Sequence, residues 1–308
     1  MPTIQLLAPT LDPLHLTEAK THLRVSFSDD DQLISRLIPA AARAAETILR
    51  RALVMGQYKL VLDRFPTPSM EYAASNWYGP SWGSGPGPLT VQMPRGKTGF
   101  EIVLPVSSLQ SVDSIKYLDN DGIQQTLAPS AYKVDNVSEP PRITPAWGTS
   151  WPTARNDFNS VELTFTAGYT ASLVADATAN TLTARSFGKV WSAGDVVRLS
   201  NSGGAPPAPL KIKTDYFVVN PAGATFQVSA TSGGSAIDLT DAGTGNNFVG
   251  PMPIGEIPEG ILQWMLLHMD TLYENRPGLV IDKGATMVVM PTAYVDGLLD
   301  PYRVFWFN

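Results

Sequence analysis

The chain has 308 residues, enough for about two domains, and its 44% hydrophobic fraction excludes a disordered chain. A net charge of −6 disfavours a generally basic nucleic-acid-binding protein, and the absence of cysteine excludes disulfides, cysteine-bound metals and thiol nucleophiles. No stretch approaches the ~18 apolar residues of a membrane span. Pro2, Pro9 and Pro13 interrupt the N-terminal apolar stretch, so we expect neither a signal peptide nor membrane insertion.

Two helices are predicted near the N-terminus. The first spans residues 17–24, with Thr17 as its N-cap and an acidic first turn. The second follows the acidic run 28–31 and has a broad apolar stripe from Leu33 to Leu49. Pro39 lies inside this stripe, where it removes a backbone donor, so we expect a kink or a break there.

The pattern then changes to short strands, which are predicted at residues 58–62, 111–118, 123–127, 132–137 and 161–166. The sequence Asp-Asn-Asp-Gly at 119–122 predicts a hairpin turn, which is favoured over a calcium loop because the distal glutamate of such a loop is missing. Residues 66–99 are rich in glycine, proline and aromatic residues and predict a long irregular loop of the kind that is usually functional.

Residues 171–250 have few basic residues and show strands at 181–184, 195–199, 216–219 and 225–228, separated by Gly, Asn and Pro. Their spacing is typical of a small β-sandwich or barrel. Helical periodicity returns after Pro258 and continues to Tyr273. A last short helix is predicted to begin near Thr292, and an aromatic tail follows it.

The predicted fold class is therefore α+β, with a helical-bundle core made from the N- and C-terminal helices. A β-rich excursion and an inserted all-β domain interrupt this core. We predict an adaptor-like core from residues 1–170 plus 251–299, an inserted β-sandwich or barrel-like domain at 171–250, and a docking tail at 300–308. Because the ends of an inserted domain lie close together, the core is expected to fold without residues 171–250.

No motif predicts catalysis. His15, His22 and His268 have no metal-ligand spacing, and the acidic run Asp29–Asp31 is explained by helix capping. Gly79 to Gly83 reads Gly-x-Ser-x-Gly around Ser81, but no helix can follow it, as a nucleophile elbow requires. We therefore predict no enzyme activity, no catalytic residue, no cofactor and no metal.

Aromatic residues outside the predicted elements are candidates for protein contacts, because aromatic side chains dominate binding energy at interfaces. They either fold back onto their own domain or contact another subunit or neck protein; in the loops they are Trp77, Tyr78, Trp82, Trp147 and Trp151. In the tail, Phe305, Trp306 and Phe307 are adjacent and are expected to bury against something.

The order of several segments resembles the head–tail connector (adaptor) proteins of tailed bacteriophages. The resemblance covers about 16–169 and 251–303 in collinear order. Its pieces are Leu-Thr-Glu-Ala-Lys-Thr-His-Leu-Arg-Val at 16–25, Asp-Gln-Leu-Ile-Ser-Arg-Leu-Ile at 31–38, the segment 111–122, Tyr-Lys-Val-Asp at 132–135, Pro-Pro-Arg-Ile at 140–143, Trp-Pro at 151–152, Val-Glu-Leu-Thr-Phe-Thr-Ala-Gly-Tyr at 161–169, the segment 258–276 and Leu-Leu-Asp-Pro-Tyr-Arg at 298–303. Residues 171–250 depart from this pattern and resemble a β module that is inserted in various phage virion proteins.

The resemblance implies a structural virion protein that forms a homo-oligomeric ring, expected to be a dodecamer, between the portal protein and a neck or tail-completion protein. Such a ring would extend the DNA channel, so that double-stranded DNA passes without specific binding, in a virion neck assembled in the bacterial host cytoplasm. It also implies that the tail docks on the portal. The implied docking residues are Pro301, Tyr302, Arg303, Val304, Phe305, Trp306 and Phe307.

Two other functions remain open from the sequence. One is a virion surface protein whose β module binds glycans or a receptor, with Trp191, Tyr216 and Phe217 as sugar platforms. The other is a hydrolase that uses Ser81.

Overall fold

The computed structural model describes residues 3–66, 100–184, 190–252, 254–274 and 297–304. These residues form a mixed α+β fold, as predicted. The three α-helices of this part of the chain are α1 Leu16–Leu23, α2 Asp31–Leu49 and α3 Glu259–Glu274. Its strands are β1 Thr3–Leu7, β2 Gly56–Leu62, β3 Ile102–Val103, β4 Leu109–Leu118, β5 Gln124–Thr126, β6 Tyr132–Asp135, β7 Arg142–Pro145, β8 Val161–Ala167, β9 Ala171–Asp176, β10 Thr181–Ala184, β11 Val196–Ser202, β12 Asp215–Ala222, β13 Thr225–Ser229 and β14 Asn246–Pro251.

The three helices pack through their apolar faces. Ile34 and Ile38 of α2 are buried together with Ile261 and Met265 of α3 in one core. α2 continues through Pro39, so the break that was one of the two predicted outcomes does not occur. Because the apolar stripe packs against α3 on both sides of the proline, packing compensates for the missing backbone donor.

The start of α1 differs from the sequence prediction, whereas the N-cap of α2 lies, as predicted, within the run 28–31. His15, not Thr17, is the N-cap of α1, and its Nδ1 accepts a hydrogen bond from the Thr17 backbone N–H at 3.2 Å. Asp30 is the N-cap of α2 without a side-chain cap bond. Its carboxylate instead accepts from the Tyr273 hydroxyl at 2.5 Å, which joins the start of α2 to the end of α3.

Beside the helices lies a five-stranded antiparallel sheet in the order β1-β2-β8-β4-β5. β2 and β8 pair over their full length, from Gly56 opposite Ala167 to Leu62 opposite Val161. The predicted turn is confirmed between β4 and β5, where Asp119 accepts from the backbone N–H groups of Asp121 and Ile123. A smaller sheet in the order β3-β7-β6 shares a hydrophobic core with the five-stranded sheet, and this core is separate from that of the helices.

A closed six-stranded barrel in the order β10-β13-β12-β11-β14-β9 follows the sheet. Its interior includes Phe226, Val218 and Trp191, whose ring packs on Phe226 at a centroid distance of 4.9 Å. The strands β9 and β14 were not predicted, yet they pair at Ala171 and Val249, so the two ends of the barrel segment lie side by side. Whether residues 171–250 are an independent domain stays a prediction.

The connection between sheet and barrel requires a glycine. Gly168 has a φ of +144°, and a Cβ there would lie 2.5 Å from the Met55 Cα. Tyr169 and Thr170, which follow Gly168, are bonded to the same segment. The backbone N–H of Tyr169 donates to the Leu53 carbonyl at 3.0 Å, and the backbone N–H of Met55 donates to the Thr170 carbonyl at 2.7 Å. The chain therefore enters the barrel along the segment that leads into β2.

Other contacts hold the barrel against the helices. The backbone N–H of His15 donates to the Ser202 hydroxyl at 2.6 Å, and this hydroxyl also bonds the Glu18 carboxylate. Lys213 pairs with Glu259 at the start of α3 at 2.7 Å. The barrel thus contacts the start of α1 and the start of α3.

We predict that replacing residues 171–250 by a short linker leaves the helices folded but lowers the melting temperature. The chain ends at the barrel are adjacent, but Phe248 of β14 is buried in the helix core and would be lost from it. Circular dichroism with a thermal melt measures both effects. Loss of the helical signal at low temperature would show that the core needs the barrel to fold.

Candidate functional site

The described part of the tail, residues 300–304, packs against the C-terminal end of α2. The carbonyl of Leu49, the last residue of α2, lacks a partner within the helix and accepts from the Val304 backbone N–H at 3.3 Å. The next carbonyl, of Arg50, accepts from Ser107 N–H at 2.9 Å. The side chain of Val304 is buried. The tail therefore caps the C-terminus of α2.

A buried arginine joins the tail to the sheet. Arg51 Nε donates to the Tyr302 carbonyl at 2.6 Å, and the other two nitrogens of its guanidinium bond the Glu139 carboxylate, which lies between β6 and β7. Arg51 is only 9% exposed, whereas Glu139 is 44% exposed. One guanidinium thus fixes the tail, the end of α2 and the β6–β7 hairpin relative to one another. We call the contacts of residues 302–304 with Leu49 and Arg51 the tail anchor.

A glycine in α3 makes room for the tyrosine of the tail anchor. A Cβ on Gly260 would lie 3.2 Å from Tyr302 Cε2 and 3.2 Å from the Leu298 carbonyl oxygen. These distances are shorter than ordinary contacts, so a larger residue at position 260 would push the tyrosine away. Leu299, just before the tail anchor, is fully buried in the helix core.

Three ionisable groups near the tail anchor have perturbed pKa values. Burial raises the pKa of the Tyr169 hydroxyl, against the opposing charge of Arg51. Burial likewise raises the pKa of Glu46, whose carboxylate accepts from the Leu53 N–H at 3.0 Å. On the β6–β7 hairpin, the hydrogen bond from Arg142 lowers the pKa of Asp135. The bonds of the tail anchor join a guanidinium to a carboxylate and to a backbone carbonyl, as in a structural contact.

The predicted docking residues fall into two groups, those that the structure describes, 301–304, and those that it does not, 305–307. Tyr302 is half-buried and Val304 is buried against this chain's own core, so in this structure they are anchoring residues, whereas Pro301 is exposed. Arg303 forms an ion pair with Asp300 at 3.6 Å. Phe305, Trp306 and Phe307 lie outside the described residues, and their docking stays a prediction.

The opposite end of the five-stranded sheet has a second group of contacts. Trp151 stacks on Phe65, three residues beyond the end of β2, at a centroid distance of 5.0 Å. Arg155 N–H donates to the Leu118 carbonyl at 2.8 Å, and Asn159 N–H donates to the Asp63 carboxylate at 3.0 Å. These bonds join three loops, at residues 63–66, 119–123 and 146–160, which we call the distal loops.

The distal loops expose large apolar side chains. Trp147 is fully exposed, Phe158 is 82% exposed and Ile123 is 59% exposed. Trp147 lies in an ordered turn, because the backbone N–H of Thr149 donates to the Ala146 carbonyl at 3.0 Å. A rigid turn that presents a tryptophan loses little conformational freedom on binding, which favours it as an interface anchor.

The two tryptophans that the sequence grouped together therefore differ. Trp151 is folded back, with its Nε1 donating to the Phe100 carbonyl at 2.7 Å, whereas Trp147 contacts solvent. The tail anchor and the distal loops lie at opposite ends of the sheet, because β2 runs from near Arg51 to Asp63. Its seven residues span roughly 20–25 Å.

Other predicted site residues fall in different places. Trp77, Tyr78, Ser81 and Trp82 lie outside the described residues. The assignment of Trp191 and Tyr216 as exposed sugar platforms is wrong, because both rings are buried in the barrel. A closed barrel of this size has to fill its interior with side chains, and large aromatic residues do so.

Several residues of these two sites have no signal in the sequence. Arg51 and Glu139 are 88 residues apart, and Arg51 and Tyr302 are 251 residues apart, so only the fold brings them together.

In the described ranges, no group of three or more acidic or histidine side chains could hold a metal ion. None of the helices in this part of the chain is long and apolar enough to cross a membrane.

Residues 14–79, about a fifth of the chain, match the model of a family described as "Phage gp6-like head-tail connector protein". This match confirms, for that segment, the resemblance to connector proteins that the sequence indicated. No match was found among curated protein sequences.

The chain is similar in structure to proteins of gene transfer agent (GTA) particles. A chain from a structure described as "Neck of empty GTA particle computed with C6 symmetry" has a TM-score of 0.50 and 16% identity, covering 100% of this chain and 98% of that chain. A chain from "Virion of native gene transfer agent (GTA) particle" has a TM-score of 0.49 and 16% identity, with 100% and 98% coverage. A third chain, from "Neck of native GTA particle computed with C12 symmetry", has a TM-score of 0.42 and 14% identity, covering 98% of this chain and 97% of that chain. The first likeness establishes a shared fold.

We predict that Arg51→Ala loosens the tail anchor while the remaining fold persists. The change removes a charge-assisted bond to Tyr302 and leaves Glu139 unpaired, which costs about 1–3 kcal/mol of stability. Trypsin should then cleave after Arg303 several times faster, releasing Val304–Asn308, which mass spectrometry quantifies.

Arg198→Ala is the matched control, because Arg198 pairs with Asp215 at 2.7 Å and with Glu256 at 3.7 Å and bonds none of the described tail residues. Equal rates of release from Arg51→Ala and from the unmodified chain would contradict the assigned role of Arg51.

We predict opposite stability effects at the two tryptophans. Trp151→Ala should lower the free energy of unfolding by about 2–4 kcal/mol, because it removes the stack on Phe65 and the bond to Phe100. Trp147→Ala should change it by less than about 0.5 kcal/mol, because that side chain makes no buried contact. Urea unfolding followed by circular dichroism checks both, and a similar loss at the two positions would refute the distinction.

Proposed function

We propose that this chain, a relative of phage head–tail connector proteins by its residues 14–79, is a structural protein of a virion neck. In this proposal several copies form a ring between the portal and the next neck or tail-completion protein. Double-stranded DNA passes through the ring without specific binding. The observation on which the proposal depends most is the family match, since it is the one that names a role.

The fold supports this role. The chain shares its fold with a chain from a structure described as the neck of a GTA particle computed with C6 symmetry, over 100% of its length. We extend this likeness to a neck location and a ring, and we propose twelve copies as the ring size. We also propose that α1, α2 and α3 are the helical-bundle core of the adaptor.

The two ends of the sheet support a bridging role. A connector has to bind one partner above and another below, and this chain has a fixed tail at one end and ordered, exposed aromatic residues at the other. Because Val304 is held at the end of α2, the residues that follow it start from a defined position. We propose that Phe305, Trp306 and Phe307 dock on the portal, and that Trp147 and Phe158 contact a neighbouring subunit or neck protein.

The charge supports passage of DNA. Proteins that hold DNA do so mainly with Lys and Arg on the phosphates, and this chain has a net charge of −6. A channel wall with few basic contacts allows the genome to slide. We propose no enzymatic activity, and assembly in the host cytoplasm before the particle is complete. The glycan-binding alternative loses its main support because Trp191 and Tyr216 are buried.

We predict that removal of residues 305–308, or Trp306→Ala, leaves the protein folded but blocks the joining of heads to tails. The aromatic strip supplies the apolar contact area, so its loss should reduce binding to the portal by a factor of about one hundred or more. The measurement is co-purification with the portal protein, together with a count of joined particles by electron microscopy.

Asn308→Ala is the control, because it alters the same tail without removing an aromatic ring. Joined particles at the normal level with residues 305–308 deleted would overturn the assignment of the tail as the docking segment.

A further inference from the structure

The outer face of α2 is basic. Arg36 and Arg43 are exposed, and Arg50 follows directly after the helix and is exposed as well. At about 100° per residue, the spacing of seven places Arg36 and Arg43 on one side of α2, opposite the buried residues Ile38 and Ala45, and Arg50 follows at the C-cap with left-handed backbone. We call these three residues the arginine stripe. No exposed acidic residue lies between Arg36 and Arg50 on this helix.

The outer face of α3 is acidic. Glu259, Asp270 and Glu274 are exposed, and by the same periodicity they lie on the side opposite the buried residues Ile261 and Met265. We call them the acidic stripe. α3 contains no lysine or arginine, so its only charges at neutral pH are these three carboxylates.

The charges of the two stripes differ in their partners, and Arg43 bonds the Gln5 side chain of β1 at 3.4 Å. Among the described residues, Arg36, Asp270 and Glu274 have no ion-pair partner within 4 Å, whereas Glu259 pairs with Lys213. The position of Glu274 is unfavourable for the isolated helix, because it lies in the last turn, where the helix dipole is negative. A basic group that approached the end of α3 from outside would remove this disadvantage.

We propose that the arginine stripe of one copy packs against the acidic stripe of a second copy of this chain. The two stripes are complementary in charge, and both lie on outer faces of the same helical core. A contact between two different surfaces of identical copies is head-to-tail, the type that closes into rings. The inference rests on the proposed function in one respect, namely that copies of the chain associate side by side.

Charge reversal tests the contact. Arg36→Glu and the pair Asp270→Lys with Glu274→Lys should each weaken association of copies by about tenfold at low salt, because they place like charges opposite each other. Glu274→Lys favours α3 itself, since it puts a base in the last turn, and Arg36 lies beyond the first turn of α2, where the helix dipole has little effect. The helical circular dichroism signal should therefore be unchanged.

Combining the two reversals in one chain should restore part of the association, because position 36 and positions 270 and 274 then carry opposite charges again, while Arg43, Arg50 and Glu259 keep theirs. Lys211→Glu, an equal reversal at an exposed position on the barrel, is the control and should leave association unchanged. Sedimentation equilibrium at low and high salt provides the measurement, and high salt should reduce the differences.

Cross-linking tests the same contact in a second way, since the chain has no native cysteine. Full-length Arg36→Cys and Asp270→Cys chains, treated with a short bis-maleimide, should give a cross-linked dimer when mixed and little product when treated alone. The chain with both cysteines should give a ladder of oligomers.

The outcomes separate this inference from the proposed function. Association that persists through the charge reversals, with no mixed cross-link, would overturn the stripe contact and leave the connector role standing. A chain that stays a single copy and forms no cross-link would overturn both the stripe contact and the ring. Loss on reversal and recovery in the combined variant would establish the contact.

Discussion

The structure depends on which groups pair with the free carbonyls at the end of α2, the longest helix among the described residues. The carbonyls of Leu49, the last residue of α2, and of Arg50, its C-cap, have no partner within the helix, and they accept from Val304, in the tail, and from Ser107, just before β4. Arg51, two residues after α2, adds bonds to Tyr302 and Glu139. Segments from three distant parts of the sequence thus meet at one helix terminus. This arrangement fixes the position of Val304, the last described residue of the tail.

The same region also positions the barrel. Leu53 and Met55, which lead from α2 into β2, bond the residues 169–170 that enter β9. Tail, sheet and barrel are therefore held by one short stretch, residues 49–55, whose members from Arg51 to Met55 are buried. The distal loops, by contrast, are far from this stretch and hold their own exposed aromatic residues. In the proposed role, a partner at one end of the sheet would be separated from a partner at the other by the length of β2.

Part of this fold could be predicted from sequence. The helix stripes of α2 and α3, the turn at residues 119–122 and the strands β2, β8 and β13 all have clear periodic or turn patterns. β1 and β14 were missed, because a five-residue strand at a sheet edge and a strand containing Asn, Gly and Pro look like loops. Trp147 and Trp151 look equivalent in the sequence, since burial of one depends on Phe65, 86 residues away. Likewise, nothing local distinguishes Arg51 from the exposed Arg50 beside it.

The central claim is that this protein works as one of several copies held between two partners, with its tail bound to one of them. Electron cryomicroscopy of completed particles tests this most directly, because it shows copy number and tail environment together. The account predicts a ring of copies in the neck, with Phe305, Trp306 and Phe307 buried in a groove of another protein. A single copy per particle, or a ring in which those three side chains contact only solvent, would contradict it.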